Sequence, residues 1–438
     1  MKVWEPLSPN GDWCSFKNLR SPLGTAAPAL QPYHEGTNLM LKRFCLALML
    51  TNCIPLVTAQ VHQHGTTSKE DGRYNPFVAA DPRGGFYLAY VERKAGMSNV
   101  MLQRSSDGKT FSEPVRVNDQ PGDATVRNEN PPKVTVGPKG EIYACWANER
   151  GRWKGNIRFA RSVNGGKTFS PAANINSDAA LPPAGHAFQS ITVDRKGHIF
   201  VTWIDERNKK STDRGAEIWM STSSNGGRTF SADRRILGDV CECCRTQLQI
   251  DGSGRMFLSY RTVPASGPMF RDIVLAVSQD GGKAFAQTIV NQDGWEVNAC
   301  PVAGPALSVE PQGQIAITWF TGGGDRSGLY YASSADHGTS FSPRRLLSPN
   351  QKLGKHSQAA MISQGRMLVA WDDVADTTLT RWGLLDLKDL RLQELGSQEG
   401  ASFPVVAISK QTALIAAAQL SARDLFFRSE SLTTDSSR

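Results

Sequence analysis

Three cysteines fall within four residues in Val240-Cys241-Glu242-Cys243-Cys244-Arg245-Thr246-Gln247, near the middle of a 438-residue chain. Thiols at this density suit a soft-metal site, a disulfide cluster or a redox device, and none of these is ordinary packing chemistry. Cys-x-Cys-Cys is no standard zinc spacing, so further ligands would have to come from elsewhere in the chain. Candidates are Cys300 in Asn298-Ala299-Cys300-Pro301, His356 in Gly354-Lys355-His356-Ser357-Gln358, and His186 in Gly185-His186-Ala187-Phe188-Gln189.

The compartment bears on which chemistry wins. Residues 1–39, with Pro22, Pro28 and Pro32 and no apolar periodicity, read as an unstructured extension or an early start codon. From Met40 the pattern is that of a secretory signal peptide over residues 40–59: basic Lys42-Arg43, an apolar run from Phe44 to Leu56, and Val57-Thr58-Ala59 before Gln60. Asn52 before Cys53 argues against a lipidation site, and no stretch approaches the roughly 18–20 apolar residues of a helical membrane span. A periplasmic or secreted protein is expected.

Cleavage would remove five basic and three acidic residues and leave a net charge of +6, two below the +8 of the full chain. That excess is spread out, with no basic run or basic helix to suggest nucleic acid. Cys145, Cys241, Cys243, Cys244 and Cys300 remain. An odd number in an oxidising compartment requires a free thiol, an intermolecular bond or a metal ligand. Cys145, beside Trp146 on an apolar strand, reads as a packed free thiol, and the two histidines of Val61-His62-Gln63-His64 as incidental.

The elements that would position these groups are announced by a repeat. Ser105-Ser106-Asp107-Gly108-Lys109-Thr110-Phe111 recurs as Ser162-Val163-Asn164-Gly165-Gly166-Lys167-Thr168-Phe169 and Ser223-Ser224-Asn225-Gly226-Gly227-Arg228-Thr229-Phe230. It returns as Ser278-Gln279-Asp280-Gly281-Gly282-Lys283-Ala284-Phe285 and Ser334-Ala335-Asp336-His337-Gly338-Thr339-Ser340-Phe341, with the Asp/Asn positions 57, 61, 55 and 56 residues apart. Asp or Asn accepts backbone N–H bonds, Gly supplies positive φ, and Phe turns the chain back inward. Apolar strands ending in Tyr90, Trp146, Trp203, Tyr260, Trp319 and Trp371 run in phase with these turns. The unit reads as strand A, turn, strand B, loop, strand C, turn, strand D, one four-stranded blade with strand A opening near Asn75, Asn130, His186, Cys244, Cys300 and His356.

The five turns resemble the Asp-box, or BNR, repeat of the sialidase superfamily. The resemblance implies an all-β fold, a β-propeller of four-stranded antiparallel blades in a single domain over residues 60–432. Phe403-Pro404-Val405-Val406-Ala407-Ile408 and the strands after it supply a seventh blade if a strand from the mature N-terminus completes it, and six blades otherwise.

In such a ring, residues about 56 apart become neighbours around a central mouth. Cys241, Cys243, Cys244, Cys300, His356 and His186 then share one face, a ligand set for copper or zinc. A disulfide from Cys243 or Cys244 to Cys300, stapling adjacent blades, is the structural alternative, and a thiol redox role is the third. The loops between strands B and C add Glu92-Arg93, Asn148-Glu149-Arg150, Asp205-Glu206-Arg207, Asp325-Arg326 and Asp372-Asp373. These groups suit either a small acidic ligand or glycan, or ion pairs within the rim.

The resemblance also implies a test for sialidase chemistry: three arginines on the substrate carboxylate, a Tyr–Glu nucleophile and an Asp acid. The first strand reads Tyr74-Asn75-Pro76-Phe77, with Asn where the family has Arg. Arg245 and Arg207, with Glu242 or Glu296, are the available catalytic candidates, and Tyr74 has no evident activating partner. The expectation is a binding protein for copper, zinc or a partner at the mouth. A sialidase-like glycoside hydrolase acting on acidic sugars and a disulfide-stapled protein-interaction scaffold are the alternatives.

Overall fold

The computed structural model describes residues 70–149, 154–179, 184–347, 354–363, 365–374 and 378–432. The proposed extension, signal peptide and His62/His64 segment lie outside these residues. The described residues contain no helix, and hence none long and apolar enough to cross a membrane. They form seven antiparallel sheets, six of four strands and a last one of three.

The innermost strands are Gly72–Ala80, Lys133–Val136, His186–Val193, Gln247–Ile250, Ala306–Val309, Gly354–Ser363 and Ala401–Ser409, in blades 1 to 7. Consecutive inner strands pack side by side, and the seventh packs on the first, so the ring is closed. Across that seam Arg73 N–H donates to the Arg423 carbonyl at 2.8 Å, Gly85 N–H donates to Ser409 Oγ at 3.0 Å, and Arg73 pairs with Asp424. The strand expected to complete blade 7 would come from residues outside those described.

The second strand of each blade is covered on both faces by neighbouring blades, which is why its sequence is continuously apolar rather than alternating. Ile142–Ala147, Ile199–Asp205, Met256–Arg261 and Ile315–Thr321 are buried at every position. The aromatics that end these strands are all buried, and the indoles of Trp146, Trp203 and Trp319 donate to the Asp123 carbonyl, Asp205 and Asp293.

All five repeat turns share one wiring. The leading Ser Oγ accepts from a Gly N–H, as in Gly108 to Ser105 and Gly338 to Ser334, both at 2.8 Å. The Asp or Asn Oδ1 accepts from the N–H of the Thr, Ala or Ser position, at 2.9 Å for Thr110 and 3.0 Å for Ser340. Two bonds per turn fix the corner between the third and fourth strands in each of these five blades, at the end away from the cysteines.

At the opposite end the inner strands of six blades enter through an irregularity. Asn75, Glu129, Phe188, Val302, His356 and Phe403 have positive φ between 46° and 62°, at corresponding places in six blades. Non-glycine residues rarely hold that conformation, and such strain is retained where surroundings over-determine it. Blades 4 and 5 begin their inner strands at Gln247 and Ala306, so Cys244 and Cys300 lie in the entering loops rather than on the strands.

Candidate functional site

The chain leaves the outer strand of blade 3 at Val240 and makes a tight turn, with Cys244 N–H donating to the Cys241 carbonyl at 3.4 Å and Cys241 N–H to the Arg261 carbonyl at 2.9 Å. This turn gathers Cys241, Cys243 and Cys244 so that their sulfurs all lie within 4.8 Å of one another. Cys241 Sγ is 3.0 Å from Cys244 Sγ and 3.5 Å from Cys243 Sγ. Val263, Met269 and Val302 close over them, leaving all three cysteine side chains buried.

Cys243 is joined to Cys300 by a disulfide, with Cα atoms 6.2 Å apart. Of the two pairings open from the sequence, the one through Cys243 is formed, fastening the loop into blade 4 to the loop into blade 5. Cys300 itself is exposed, in a loop tied down by Arg271 N–H to the Trp295 carbonyl and Val297 N–H to the Met269 carbonyl. Cys241, Cys244 and Cys145 are free thiols, and burial raises Cys145 well above the ordinary thiol range.

Guanidinium groups flank the cluster. Arg261 donates to the carbonyls of Ala303, Arg271 and Phe320, and Arg271 donates to the Val297 carbonyl. For Cys244 burial acts upward, but the Cys241 thiol hydrogen bond, Arg261 and the Ala303 backbone outweigh it and hold the thiol below its ordinary value. Burial pushes Cys241 well up, and donation to Cys244 adds to this. One sulfur of the pair is therefore the proton donor and the other the preferred thiolate.

The histidines do not join the sulfurs, which corrects the expected six-residue ligand set. His356 Nδ1 lies 2.9 Å from Asp372 Oδ2 and Nε2 lies 3.2 Å from the Val302 carbonyl, with the ring 4.5 Å from that of Phe403. Both nitrogens are thus engaged, by blade 6's own Asp372 and by the Val302 carbonyl of the neighbouring loop, and neither faces a sulfur. His186 belongs to another cluster, in blade 3. Its Nδ1 is 2.7 Å from the Gly155 carbonyl, and Nε2 is 3.1 Å from Asp205 Oδ2 and 3.2 Å from Asp178 Oδ1, in ion-pair range but outside hydrogen-bond alignment.

That second cluster fixes the fate of Arg207, which binds Asp205 through Nε and Nη2, reaches Asp233 at 2.7 Å and stacks 3.9 Å over Trp219. Burial opposes the Asp205 charge, yet His186 and Arg207 outweigh it and lower the carboxyl to about 2. For His186, burial acts downward, and Asp205 and Asp178 outweigh it to raise the imidazole. The signs give a testable profile. The depressed Asp205 contributes stability that is complete above its ordinary 3.8 and is lost as pH falls toward about 2. The raised His186 contributes stability that is complete below its ordinary 6.5 and is lost as pH rises through its folded value. The stability gap between the wild type and Asp205→Asn, measured by thermal unfolding, should therefore be widest between these limits and narrow on both sides.

The remaining catalytic candidates are dispersed. Glu242 pairs with Lys209 at 3.2 Å on the surface. Arg245 reaches across the mouth to Glu129 and to the Ser357 carbonyl, while the other Glu129 oxygen accepts from Gly304 N–H at 3.2 Å. Lys133 is buried beside this pair with its ammonium 4.5 Å from the Phe77 ring, and burial together with Arg245 lowers it to about 7. A small pocket of about 20 Å³ is edged by Asn75, Glu129, Lys133, Arg245, Gln358 and Phe403, and a larger cavity of about 280 Å³ adjoins it between the inner strands, lined by Phe77, Gln247, Gln249, Ser308 and Gln358. Rim pairs such as Arg127–Glu149 at 2.6 Å and Arg381–Asp373 at 3.2 Å show the loop charges answering one another. Tyr74 donates to the Glu70 carbonyl at 3.1 Å.

Solved structures of the same architecture extend the comparison. An ulvan lyase of the polysaccharide lyase family PL25, solved with a bound saccharide, superposes with a TM-score of 0.56 at 12% identity, over 84% of this chain and 96% of that one. The fold is a seven-bladed β-propeller. The NanB sialidase of Streptococcus pneumoniae matches with a TM-score of 0.47 at 11% identity, over 81% of this chain and 91% of that one. A leech intramolecular trans-sialidase gives 0.47 and 11%, over 79% of this chain and 83% of that one. At this identity the likeness is one of fold alone. No protein-family model and no curated protein matches the sequence.

Two features of the propeller's mouth gave no signal in the sequence. Glu129 is a single acidic residue in a loop, and its pairing with Arg245 joins positions 116 residues apart. Lys133 sits at a strand position where a charged residue is ordinarily exposed.

Proposed function

We propose that this sialidase-like propeller is an exported protein that binds a soft metal ion, copper(I) or zinc, through the cysteines at the junction of blades 4 and 5. The observation that carries the reading is the gathering of Cys241, Cys243 and Cys244 sulfurs within 4.8 Å in a buried, apolar setting. Thiolates at that spacing form the ligand set that selects copper(I) over harder ions. The ligands must be deprotonated, and the flanking Arg261 and Arg271 favour that state. In the disulfide form only Cys241 and Cys244 of the cluster are free thiols; reduction of Cys243–Cys300 would free Cys243 and add Cys300 as a fourth sulfur, so the reduced protein is the expected metal-binding form. The disulfide itself supports an oxidising location.

No observation favours the glycoside hydrolase reading to the same degree. Arg245, Arg207 and Glu242 lie in three separate contacts.

The test is a competition titration of fully reduced protein against a chromogenic copper(I) chelator, beside zinc and beside the oxidised protein. One copper per chain is expected, with affinity reduced on the order of 10-fold or more in Cys241→Ser or Cys244→Ser. A reduced protein with all thiols free that takes no metal from the chelator would end this reading.

A further inference from the structure

The four sulfurs are placed for a reaction among themselves. One is exposed and bonded, at Cys300; its partner Cys243 is buried; and behind Cys243 stand two free thiols, Cys241 at 3.5 Å from it and Cys244 at 3.0 Å from Cys241. Cys241 and Cys244 have Cys-x-x-Cys spacing, the separation at which a short disulfide loop is readily closed and opened. We propose that this cluster is a thiol–disulfide relay in which a single disulfide migrates between Cys243–Cys300 and Cys241–Cys244, exposing Cys300 as a free thiol for exchange with disulfides of partner molecules.

The steps balance without an external oxidant. The Cys241 proton, already directed at Cys244 Sγ, passes to that sulfur as Cys241 Sγ attacks Cys243 Sγ. A Cys241–Cys243 bond forms, the Cys243–Cys300 bond breaks, and Cys300 leaves as a thiolate into solvent. Cys244, giving its proton to solvent, then attacks Cys241 and releases Cys243 as a thiolate that takes up a proton. Each step is an attack of thiolate on disulfide, and the total of one disulfide is unchanged. Because the folded chain already holds these sulfurs together, migration carries no loop-closure cost within the native state. The relay stands without the metal reading, since it needs no ion.

The experiment uses full-length protein equilibrated in a glutathione buffer, quenched with acid, alkylated in denaturant and cut with trypsin. Cleavage after Arg235 and Arg245 places Cys241, Cys243 and Cys244 in one peptide and Cys300 in another. The expected result is two populations. In one the peptides are cross-linked; in the other they are separate, with Cys300 alkylated and the three-cysteine peptide carrying an internal disulfide and one alkyl group. In Cys241→Ser, Cys300 alkylation should fall to background, while Cys244→Ser should retain it with the internal bond confined to Cys241–Cys243. Neither variant removes the bond between blades, so folding is not at stake. Cross-linked peptides alone in the wild type, or equal Cys300 alkylation in wild type and Cys241→Ser, would overturn the relay. Metal binding by the reduced protein is read separately, so either result can fail while the other stands.

Discussion

Replacing Glu129 with alanine is expected to lower the free energy of unfolding by about 3–5 kcal/mol, the loss typical of breaking a buried ion pair at one partner. Both oxygens of this carboxylate are used, one by the Arg245 guanidinium and one by Gly304 N–H, and its side chain is 1% exposed. Its removal leaves the buried Arg245 guanidinium without its carboxylate partner, beside Lys133, which burial first and Arg245 second already lower to about 7. Urea unfolding of the variant measures the loss. Glu129→Leu combined with Arg245→Met should recover most of it, since an apolar pair of similar volume avoids the desolvation that the ion pair carries. A loss below about 1 kcal/mol in the single variant would show that water reaches the pair and solvates it.

Replacing Cys300 with serine should cost about 2–4 kcal/mol, because the bond to Cys243 closes a loop with a sequence separation of 57 residues in the unfolded chain. The expected signature is a lower urea midpoint for Cys300→Ser in non-reducing buffer. Adding reductant should bring the wild type down to the variant and leave the variant where it was. Should reductant destabilise the variant by as much as the wild type, the stabilising bond is a different one. The same staple joins two backbone bonds, Arg271 N–H to the Trp295 carbonyl and Val297 N–H to the Met269 carbonyl, in tethering the loop of residues 292–305, from which Val302 packs against the sulfurs.

The parts of the molecule legible in advance are those set by local chemistry. Each repeat turn is decided by a Ser, an Asp or Asn and a Gly within a few residues, so the blade corners could be placed from the chain alone. Likewise the continuous apolar runs ending in Trp146, Trp203 and Trp319 announce strands covered on both faces. The disulfide was legible only as a choice between Cys243 and Cys244, because the turn that brings Cys243 rather than Cys244 to Cys300 is closed by a backbone bond no residue pattern announces. The histidines were misplaced for a related reason. Equal repeat position brought His356 and His186 to the correct face, but side-chain direction at a left-handed residue and the pull of Asp372 and Asp205 belong to the assembled ring.

The sequence by itself determined a ring of antiparallel blades, the face on which the cysteines lie and the crowding of three thiols in one turn, since period, turn chemistry and proximity along the chain are local. Only the tertiary structure decided that the imidazoles stand apart from the sulfurs, that Cys243 is the bonded one, and that Arg245 spends its charge on Glu129. These outcomes depend on which groups from distant blades come within a few ångströms, and that is fixed by the closing of the ring rather than by any stretch within it.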